Sequence, residues 1–551
     1  MNWQPNHPAF QTLLATIQQE TTPVYAVGGV VRDHLLGRDK QIADLDLVVT
    51  QPALSIAQRV ADRLGWAFYA LDERRDLARL VFTANQGIPL VCDISRMRGG
   101  TLEADLLSRY FTLNAMAFLL HPNSTVQLID LHQGQRDLQQ KTLRQVTAMS
   151  MPDDPIRMLR AIRLAQQFQL RIDDPTRIRI QECASIIRLS SPDRVRDELW
   201  KMMATSRPDW AVDEMHHLGL LPYVLPEIAA TIDIAQTSPH YLDVYNHTRL
   251  TMHHAAQLRE WLTASPWRSD SRTEVASETA SETASEMAQI QDTHNLIQHA
   301  WQKMLSPWRV QLHHYFTQIT ASGRQRADWL VWYALLHDIG KPKTHICEIQ
   351  PDGTKRIRFY EHEDVGAELS TERLTYLNFS RQEINRAGKI IQAHMRPHHL
   401  HNSFRSTPKN RGISRRAIYR FVRDLEGDKA APISETLSPC VDTALLAWAD
   451  YQSIHARLLM TDWEGYLAHI NQLLSFVFED QGPKDARRRP IIDGHALMKH
   501  LDLSPGPIIG QLLTEVLEGQ VAGTVNTKEN ALEFAETALE LLKTHSDGVA
   551  R

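Results

Sequence analysis

The chain has 551 residues, of which 43% are hydrophobic and 23% charged, a composition typical of a globular protein with several domains. It contains no apolar run of about 18 residues, so no membrane-spanning helix is predicted. The formal net charge of −5 gives no indication of nucleic-acid binding, which would have to depend on local basic patches. The N-terminus lacks the basic and apolar regions of a signal peptide and no Cys-x-x-Cys pair is present, so a cytoplasmic protein with reduced thiols is expected.

The first 145 residues combine strand and helix signals, which predicts an α/β head domain. Four apolar runs indicate strands and one amphipathic run indicates a helix: Val24–Val27, Leu45–Val49, Leu80–Thr83, Pro89–Ile94 and Ala53–Leu64. From about residue 155 the periodicity becomes helical and stays so to the end of the chain. The predicted fold class is therefore α+β, with an α/β head followed by a mostly α-helical body.

Acidic residues in the head alternate with apolar ones, as in a half-buried strand. Asp44 and Asp46 are two positions apart, so their side chains would lie on one face with Cα atoms roughly 6.5 Å apart. Asp93 lies on a later apolar strand and could join them as a third carboxylate. Carboxylates this close can share divalent cations about 3.5–4 Å apart, as in phosphoryl and nucleotidyl transfer. The alternative interpretation is a solvated strand edge without a chemical role.

A glycine pair lies between the first predicted strand and this acidic one. Gly28 and Gly29 would let backbone N–H groups approach a triphosphate, and Arg32, followed by Asp33, would add a planar guanidinium donor. Arg109 precedes an apolar segment that could form the wall of a nucleotide cleft. The order of these residues along the chain is far more specific than any one of them.

The first long predicted helix opens at Asp153 and Asp154. Asp154, Arg157 and the two residues Arg160 and Arg163 recur every third position and would share one broad face. One interpretation is a helix N-cap followed by an i,i+3 ion pair. The other is base selection. A carboxylate would accept from an exocyclic amine while the neighbouring guanidinium donates to a ring nitrogen, a combination that suits cytosine and adenine but not uracil or guanine.

Taken together, these motifs resemble the bacterial class II tRNA nucleotidyltransferases, the CCA-adding family that includes bacterial poly(A) polymerase. The resemblance covers residues 24–200. Its elements are Gly28-Gly29-x-x-Arg32-Asp33, Asp44-x-Asp46, Arg109-x-Phe111-Thr112-x-Asn114-Ala115, Asp153-Asp154-x-x-Arg157 and Asp193-Arg194-Val195-Arg196-Asp197-Glu198-Leu199.

The resemblance implies a role for each matching residue. Asp44 and Asp46 would hold Mg²⁺. Gly29 and Arg32 would bind the triphosphate, and Arg109 would contact the incoming nucleotide. Asp154 and Arg157 would read its base, and Arg160 and Arg163 would complete the pocket. The implied reaction is attack of a tRNA 3′-OH on the α-phosphate of CTP or ATP without a nucleic-acid template, releasing pyrophosphate.

Three features depart from the family pattern. Tyr110 replaces an acidic residue that the family links to ribose selection, and Asp153 replaces the usual glutamate. The segment from Asp93 to Asp105 is shorter than in complete CCA-adding enzymes, which carry a longer flexible loop there that helps switch the pocket from C to A. We therefore expect addition of two cytidines, with full CCA addition as the alternative and with a separate A-adding enzyme acting next.

The second half resembles an HD-type metal phosphohydrolase domain. Adjacent His337 and Asp338 precede Ile-Gly-Lys, with His247 upstream and Asp450 downstream, and these four residues match the ligand set of that family. Imidazole and carboxylate ligands suit Mg, Mn, Ni or Fe, and a bound water would attack a phosphate ester. The alternative is a scaffold for tRNA that has no hydrolytic activity.

Four domains are predicted: a nucleotidyltransferase head (1–145), a helical neck that binds RNA and nucleotide (146–235), an HD domain (236–455) and a C-terminal helical tRNA-binding region (456–551). A tetrapeptide repeat within about 269–294 has almost nothing apolar to bury, which predicts a disordered insertion. Two other functions remain open, a poly(A) polymerase that extends unrelated RNA, and an HD phosphohydrolase whose head serves only as an RNA-binding module.

Overall fold

The computed structural model describes most of the chain. The described residues are 3–38, 43–83, 89–121, 126–266, 295–405, 413–425, 438–454, 459–478 and 489–549. The predicted insertion at 269–294 lies outside them. The chain divides into two compact units, Met1–Met202 with Ala211–Val224 and Met203–Trp210 with Leu225–Arg551. The four-domain division is finer than this and stays a prediction.

The first unit contains a mixed seven-stranded sheet. Its strands are β1 (Val24–Val27), β2 (Asp44–Val49), β3 (Ala67–Asp72), β4 (Leu77–Phe82), β5 (Leu90–Arg96), β6 (Met116–Leu120) and β7 (Val126–Asp130). Their order is β3-β4-β5-β2-β1-β6-β7, with β2 and β5 parallel and the other neighbours antiparallel. Two short strands, β8 (Thr142–Leu143) and β9 (Arg171–Ile172), pair in parallel outside this sheet.

Helices surround this sheet and continue beyond it. They are α1 (Pro8–Glu20), α2 (Gly29–Leu35), α3 (Ala53–Leu64), α4 (Leu102–Leu107), α5 (Gly134–Gln139), α6 (Ser150–Asp153), α7 (Arg157–Phe168), α8 (Asp174–Cys183), α9 (Pro192–Met203), α10 (Pro208–His217), α11 (Leu221–Val224) and α12 (Pro226–Ala229). The first backbone N–H groups of α3 donate to the carboxylate of Asp76, and the helix ends at Gly65 in the left-handed conformation.

The central position of β2 explains its residue pattern. Leu45, Leu47 and Val49 lie on one face of the strand and are buried, whereas Asp44 and Asp46 lie on the other face and are exposed to solvent. The apolar residues fix the register, because a shift of one residue would move every side chain to the opposite face. The core therefore holds the two aspartates together on the open face.

The second unit is almost entirely helical. Its helices are α13 (Val244–Thr263), α14 (Arg309–Phe316), α15 (Asp328–Leu336), α16 (His362–Tyr376), α17 (Arg381–Ala393), α18 (Arg396–Arg405), α19 (Arg415–Leu425), α20 (Ser438–Ile454), α21 (Leu459–Phe478), α22 (Gly494–Leu501), α23 (Pro507–Ala522) and α24 (Lys528–Val549), with residues 295–305 also helical. Strands β10 (His345–Ile349) and β11 (Lys355–Phe359) form an antiparallel hairpin. All residues of α15 are buried, and the helix packs against α13 and α20. The buried apolar residues of α22–α24 form a separate small core.

The α+β fold class predicted from the sequence is confirmed, since a mixed sheet is followed by a largely helical chain. Strand β1 and helix α3 have the predicted bounds, whereas β4 begins at Leu77 rather than Leu80. Strands β3, β6 and β7 were not among the predicted elements. Among the described helices, none combines the length and apolarity that crossing a bilayer requires.

Candidate active site and metal centre

The predicted carboxylates of the head lie on neighbouring strands. The parallel pairing of β2 with β5 puts Asp46 directly beside Asp93 and Asp44 beside Val91. Asp93 also forms a two-pronged ion pair with Arg79 on β4, with Nε–Oδ1 and Nη2–Oδ2 distances of 2.8 Å. The sequence reasoning did not identify Arg79, which neutralises one of the three acidic groups.

Gly28 lies against this acidic cluster in a conformation that favours glycine. Its φ is +75°, and α2 begins at the next residue. A Cβ at this position would lie 3.3 Å from Nη1 of Arg109 and 3.5 Å from Oδ2 of Asp46. The glycine turn, the arginine and the acidic strand, which are far apart in sequence, therefore meet at one point.

Asp46 is exposed on the sheet face, yet the protein around it reduces the solvation of its carboxylate and makes the ionised form less stable than in water. Loss of solvation raises the pKa of Asp46 to about 6, and the charges of Asp93 and Asp44 add to this effect, while Arg109 opposes it. A divalent ion bound here would relieve the repulsion between carboxylates. The oxygen donors are those that Mg²⁺ prefers.

Arg32 and Arg109 are held in place by neighbouring acceptors. Arg32 donates to Asp33 through Nε and Nη2 and to Oδ1 of Asn114 through Nη1 at 2.9 Å. Arg109 forms an ion pair with the buried carboxylate of Asp105 at 3.2 Å. Both guanidinium groups are thus oriented beside the glycine turn, and a Cβ at Gly29 would lie 3.4 Å from Nη2 of Arg32.

Helix α7 begins at Arg157, with Ile156 at the N-cap position and without a side-chain cap. The N-cap interpretation of Asp154 is therefore wrong. Its two carboxylate oxygens instead accept from Arg194 at 2.9 and 2.7 Å, and Nε of Arg157 lies 3.8 Å away. Arg157 donates through Nη1 to the carbonyl of Ser150 at 2.9 Å, and its buried Nε has no hydrogen-bond partner among the described residues.

Helix α9 supports the other two arginines of α7. The buried carboxylate of Glu198 accepts from Nε of Arg160 at 3.0 Å and from Nε of Arg163 at 2.6 Å. Burial alone would raise the pKa of Glu198, but Arg163 and Arg160 lower it. Arg194 and Glu198 belong to the quoted motif Asp193–Leu199, to which the sequence reasoning gave no role, and their contacts show that α9 orients the side chains of α7.

The four predicted HD residues converge in the second unit. His247 lies on α13, His337 and Asp338 follow α15, and Asp450 lies on α20. Nε2 of His247 lies 2.9 Å from Oδ1 of Asp450 and 3.5 Å from Oδ2 of Asp338, and Nε2 of His337 lies 3.2 Å from the same Asp338 oxygen. His247, His337 and Asp450 offer ligand atoms within 4.8 Å of one another.

The local structure of this centre leaves its ligand atoms available. Nδ1 of His337 donates a hydrogen bond to the carbonyl of Ala334, and Nδ1 of His247 forms a hydrogen bond with the hydroxyl of Ser453. Nε2 of both histidines and Oδ1 of Asp450 are buried and lie close to one another, and among the described residues none of them has a hydrogen bond to a group outside this centre. Because orphaned buried polar atoms are costly, their convergence fits a bound cation.

Two further histidines adjoin the same aspartate. Asp338, His362 and His394 also bring ligand atoms within 4.8 Å of one another. The ligand set predicted from the sequence did not include His362 or His394. Burial lowers the pKa of both imidazoles, which keeps them neutral and suitable as metal ligands. A Cβ at Gly340 would lie 2.1 Å from the carbonyl of His362, so only glycine allows this approach.

Burial and charge act in opposite directions on the carboxylates of this centre. Burial would raise the pKa of Asp338, but His337 and Lys341 hold it well below its usual range. Likewise, burial would raise the pKa of Asp450, while hydrogen bonds with His247 and His398 lower it well below its usual range. Both carboxylates are therefore ionised at neutral pH.

The HD centre opens into a cleft of about 380 Å³ within the second unit. Basic side chains from the region after α15 and from β11 line this cleft together with Asp338 and Asp450. Lys341 pairs with Asp338 at 2.7 Å, whereas Arg356 is exposed at the rim. The cleft can thus admit an anionic group next to the candidate metal ligands.

Four family models match the chain. They describe a poly(A) polymerase head domain (24–144), an RNA and SrmB binding site of polymerase A (169–232), an HD domain (308–425) and a tRNA nucleotidyltransferase domain 2 (486–535). His247 and Asp450 lie outside the matched HD segment, although they contribute to the centre described above.

Some similar proteins cover more than nine tenths of the chain, and others match only about a third of it. An A-adding tRNA nucleotidyltransferase of Deinococcus radiodurans is 27% identical over 93% of this chain and 94% of its own length. A CC-adding tRNA nucleotidyltransferase of Synechocystis is 39% identical over 33% of this chain and 42% of its own length. The fold is similar to that of a Thermotoga maritima CCA-adding enzyme solved with tRNA, at 20% identity, a TM-score of 0.54 and 97% coverage of each chain.

The matched segments follow one another in the order that the motifs indicated, and the head, the RNA-binding segment and the HD domain are all present. The chain belongs to the class II family of tRNA nucleotidyltransferases, which comprises CCA-adding enzymes and poly(A) polymerases, and it carries an HD domain.

Proposed function

We propose that this tRNA nucleotidyltransferase adds two cytidines to the tRNA 3′ end, using the face of the head sheet on which Asp44 and Asp46 lie. The observation that carries this proposal is the convergence of Gly28, Arg109 and Asp46 at one point of the sheet. A triphosphate and its cations need this combination of backbone donors, a guanidinium and paired carboxylates.

Asp44 and Asp46 would hold Mg²⁺, with Asp93 beside them on β5. The raised pKa of Asp46 supports this, because clustered carboxylates with a high pKa gain from a cation that neutralises them. Bound Mg²⁺ would supply charge neutralisation for the triphosphate and a lower pKa for the attacking 3′-hydroxyl.

The basic residues of the head would bind and orient the nucleotide. Arg32 would bind the triphosphate beside the backbone of Gly28 and Gly29, with Asp33 and Asn114 fixing its guanidinium. Arg109, held by Asp105, would contact the incoming nucleotide. Because these groups are already oriented, little side-chain conformational entropy would be lost when the nucleotide binds.

The base would be selected by Asp154 and Arg157, with Arg160 and Arg163 completing the pocket. Cytosine offers an exocyclic amine to the carboxylate and acceptors to the guanidinium, whereas uracil puts a carbonyl opposite the carboxylate. Arg194 pairs with both oxygens of Asp154 and so supports it as an ionised acceptor.

Addition of CC rather than CCA is favoured by the short connection after β5. Strand β5 ends at Arg96, a single 3₁₀ turn covers Arg98–Gly100, and α4 begins at Leu102. The N–H of Ala104 donates to the hydroxyl of Thr101, which caps α4. This connection leaves no room for the long flexible loop that complete CCA-adding enzymes use to change base. Similarity to the CC-adding enzyme of Synechocystis also supports the addition of two cytidines.

We expect the purified enzyme, given CTP and ATP and a tRNA that lacks its last three nucleotides, to add two cytidines and stop. The physical reason is that a pocket without the flexible loop keeps its arrangement for cytosine. Product length on a sequencing gel, with each labelled NTP in turn, measures this. A matched tRNA that already ends in CC serves as the control and should stay unextended.

Other outcomes would identify other functions. Three added nucleotides would mean full CCA addition, and extension only of the CC-ended tRNA would mean A addition, as in the Deinococcus relative. Extension of unrelated RNA by ATP alone would mean poly(A) polymerase activity. Absence of any cytidine incorporation would reject the proposal.

We also infer a second function for the HD domain, hydrolysis of a phosphate ester. This inference depends on the orphaned ligand atoms of His247, His337 and Asp450, which converge beside Asp338 at the cleft. A divalent ion held there, of the Mg, Mn, Ni or Fe class, would supply a bound hydroxide as nucleophile. Lys341 and Arg356 would place the anionic phosphate.

The proposed partners follow from these two sites. The head would bind CTP, and ATP where A is also added, together with the tRNA 3′ end. If addition stops after two cytidines, a separate A-adding enzyme must supply the adenosine.

A further inference from the structure

Tyr110 lies directly below the arginines of α7. The Cζ atom of Arg157 is 5.1 Å from the centroid of the Tyr110 ring, and that of Arg160 is 5.7 Å from it. Both distances are within the range of a cation–π interaction. One aromatic ring thus contacts two guanidinium groups of the proposed base pocket at once.

The ring itself is fixed from the other side. It packs edge-on against the fully buried Phe111, with centroids 4.9 Å apart, and the carbonyl of Tyr110 accepts from the N–H of Val146 at 3.1 Å. Tyr110 is half-buried and has little freedom to turn away. It is therefore a rigid surface on which the arginines rest.

Arg157 has few other constraints. Its Nη1 donates to the carbonyl of Ser150, but its Nε is buried without a hydrogen-bond partner among the described residues, and Asp154 is 3.8 Å away. Arg160 is anchored through Nε to Glu198. The orientation of the Arg157 guanidinium plane, which decides where its donors point, thus depends strongly on the aromatic ring.

We propose that Tyr110 is a positioning residue for base selection, whose aromatic ring holds Arg157 and Arg160 so that Arg157 can donate to the edge of an incoming cytosine. This rests on the proposed function of the head. The position is occupied in the family by an acidic residue linked to ribose selection, and here the contacts run to the base-reading helix instead. The ring contacts both guanidinium groups, whereas the hydroxyl hydrogen-bonds Arg160, so the orientation of Arg157 is assigned to the ring.

The test compares variants that keep or remove the ring. Tyr110→Phe keeps both cation–π contacts, while Tyr110→Leu and Tyr110→Met remove them; two aliphatic variants are used so that a folding defect in one does not decide the result. Single-nucleotide addition to truncated tRNA gives kcat/KM for CTP, UTP and dCTP with each variant. Thermal unfolding confirms that the variants compared are folded.

We expect Tyr110→Phe to keep kcat/KM for CTP within about threefold of wild type. The aliphatic variants should lower kcat/KM for CTP by about tenfold or more, as expected from loss of two cation–π contacts. They should also lower the CTP/UTP ratio by about tenfold, and Phe should restore that ratio. A role limited to stability would leave the CTP/UTP ratio unchanged.

Two results would overturn the inference. An unchanged CTP/UTP ratio in a folded aliphatic variant would show that the ring does not position the base-reading arginine. A Tyr110→Phe enzyme with a CTP/dCTP ratio lowered about tenfold would show that the hydroxyl contacts the ribose. If wild type itself adds no cytidine, the proposed function of the head fails, which is a distinguishable outcome.

Discussion

Replacement of Asp46 by asparagine is expected to lower the single-turnover rate of cytidine addition by at least about 10³-fold, because an amide cannot balance the charge of a cation on the triphosphate. The side chain is nearly isosteric and exposed on the sheet face, so the fold should be retained. Asp44→Asn is expected to have a similar effect. The measurement is rapid-mix addition of CTP to end-labelled tRNA.

Asp62→Asn provides the matched control. Asp62 lies exposed on α3 in the same unit, and its carboxylate accepts a hydrogen bond from the neighbouring surface residue Gln58. Its replacement should leave the rate within about twofold of wild type, as expected for a surface position. An Asp46→Asn enzyme with more than a tenth of the wild-type rate would contradict the assignment of the catalytic carboxylates.

Replacement of His337 by alanine is expected to remove the HD cation and to lower phosphohydrolase activity by about 10²-fold or more, since His337 supplies one of the converging ligand atoms. Bis(p-nitrophenyl) phosphate with Mn²⁺ or Ni²⁺ is the probe, and metal content is measured on the same preparations. Cytidine addition by this variant should stay within about threefold of wild type, because the acidic site of the head supplies its own ligands.

His314→Ala is the matched control for the HD variant. His314 is an exposed histidine on α14 and is not part of either candidate ligand group. It should retain both metal and hydrolysis. If wild-type enzyme loaded with each metal hydrolyses no phosphate ester, the HD domain is a scaffold; if His337→Ala also abolishes cytidine addition, the two sites are not independent.

The amino-acid sequence predicted those features that depend on local pattern. Alternation of apolar and acidic residues placed Asp44 and Asp46 on one face of β2, and this face is open in the structure. The motif residues Gly28, Arg109 and Asp46 also meet as a nucleotide site would require. The shared face of Asp44 and Asp46 could be predicted because strand periodicity is a local property, whereas the role of the motif residues as a nucleotide site stays a prediction.

Predictions failed where side chains choose between distant partners. The spacing of Asp154 and Arg157 suggested a helix cap followed by an i,i+3 ion pair. The pair is present at 3.8 Å, but there is no cap, and both oxygens of Asp154 accept from Arg194, which is 40 positions later. Asp93 pairs with Arg79, and Glu198 pairs with two arginines of α7. Nothing in the local sequence specifies these contacts, which depend on how strands and helices pack.

In the HD centre, some residues could be identified from local sequence and others only from the packing of the helices. Adjacent His337 and Asp338 identify it from sequence, but the closeness of His362 and His394 follows from the approach of Gly340 to α16. A glycine three residues after His337 was a signal for close backbone packing that could have extended the ligand set.

The central claim, that Asp46 binds a divalent ion which the reaction needs, is tested most directly by the Mg²⁺ dependence of cytidine addition at pH 5.5 and at pH 7.5. Because protons compete with Mg²⁺ for a carboxylate whose pKa is about 6, the free Mg²⁺ concentration at half-maximal rate should be about fourfold higher at pH 5.5. Free Mg²⁺ is corrected for its complex with CTP at each pH. Equal half-saturation at both pH values, or full activity in the presence of a chelator, would contradict the account.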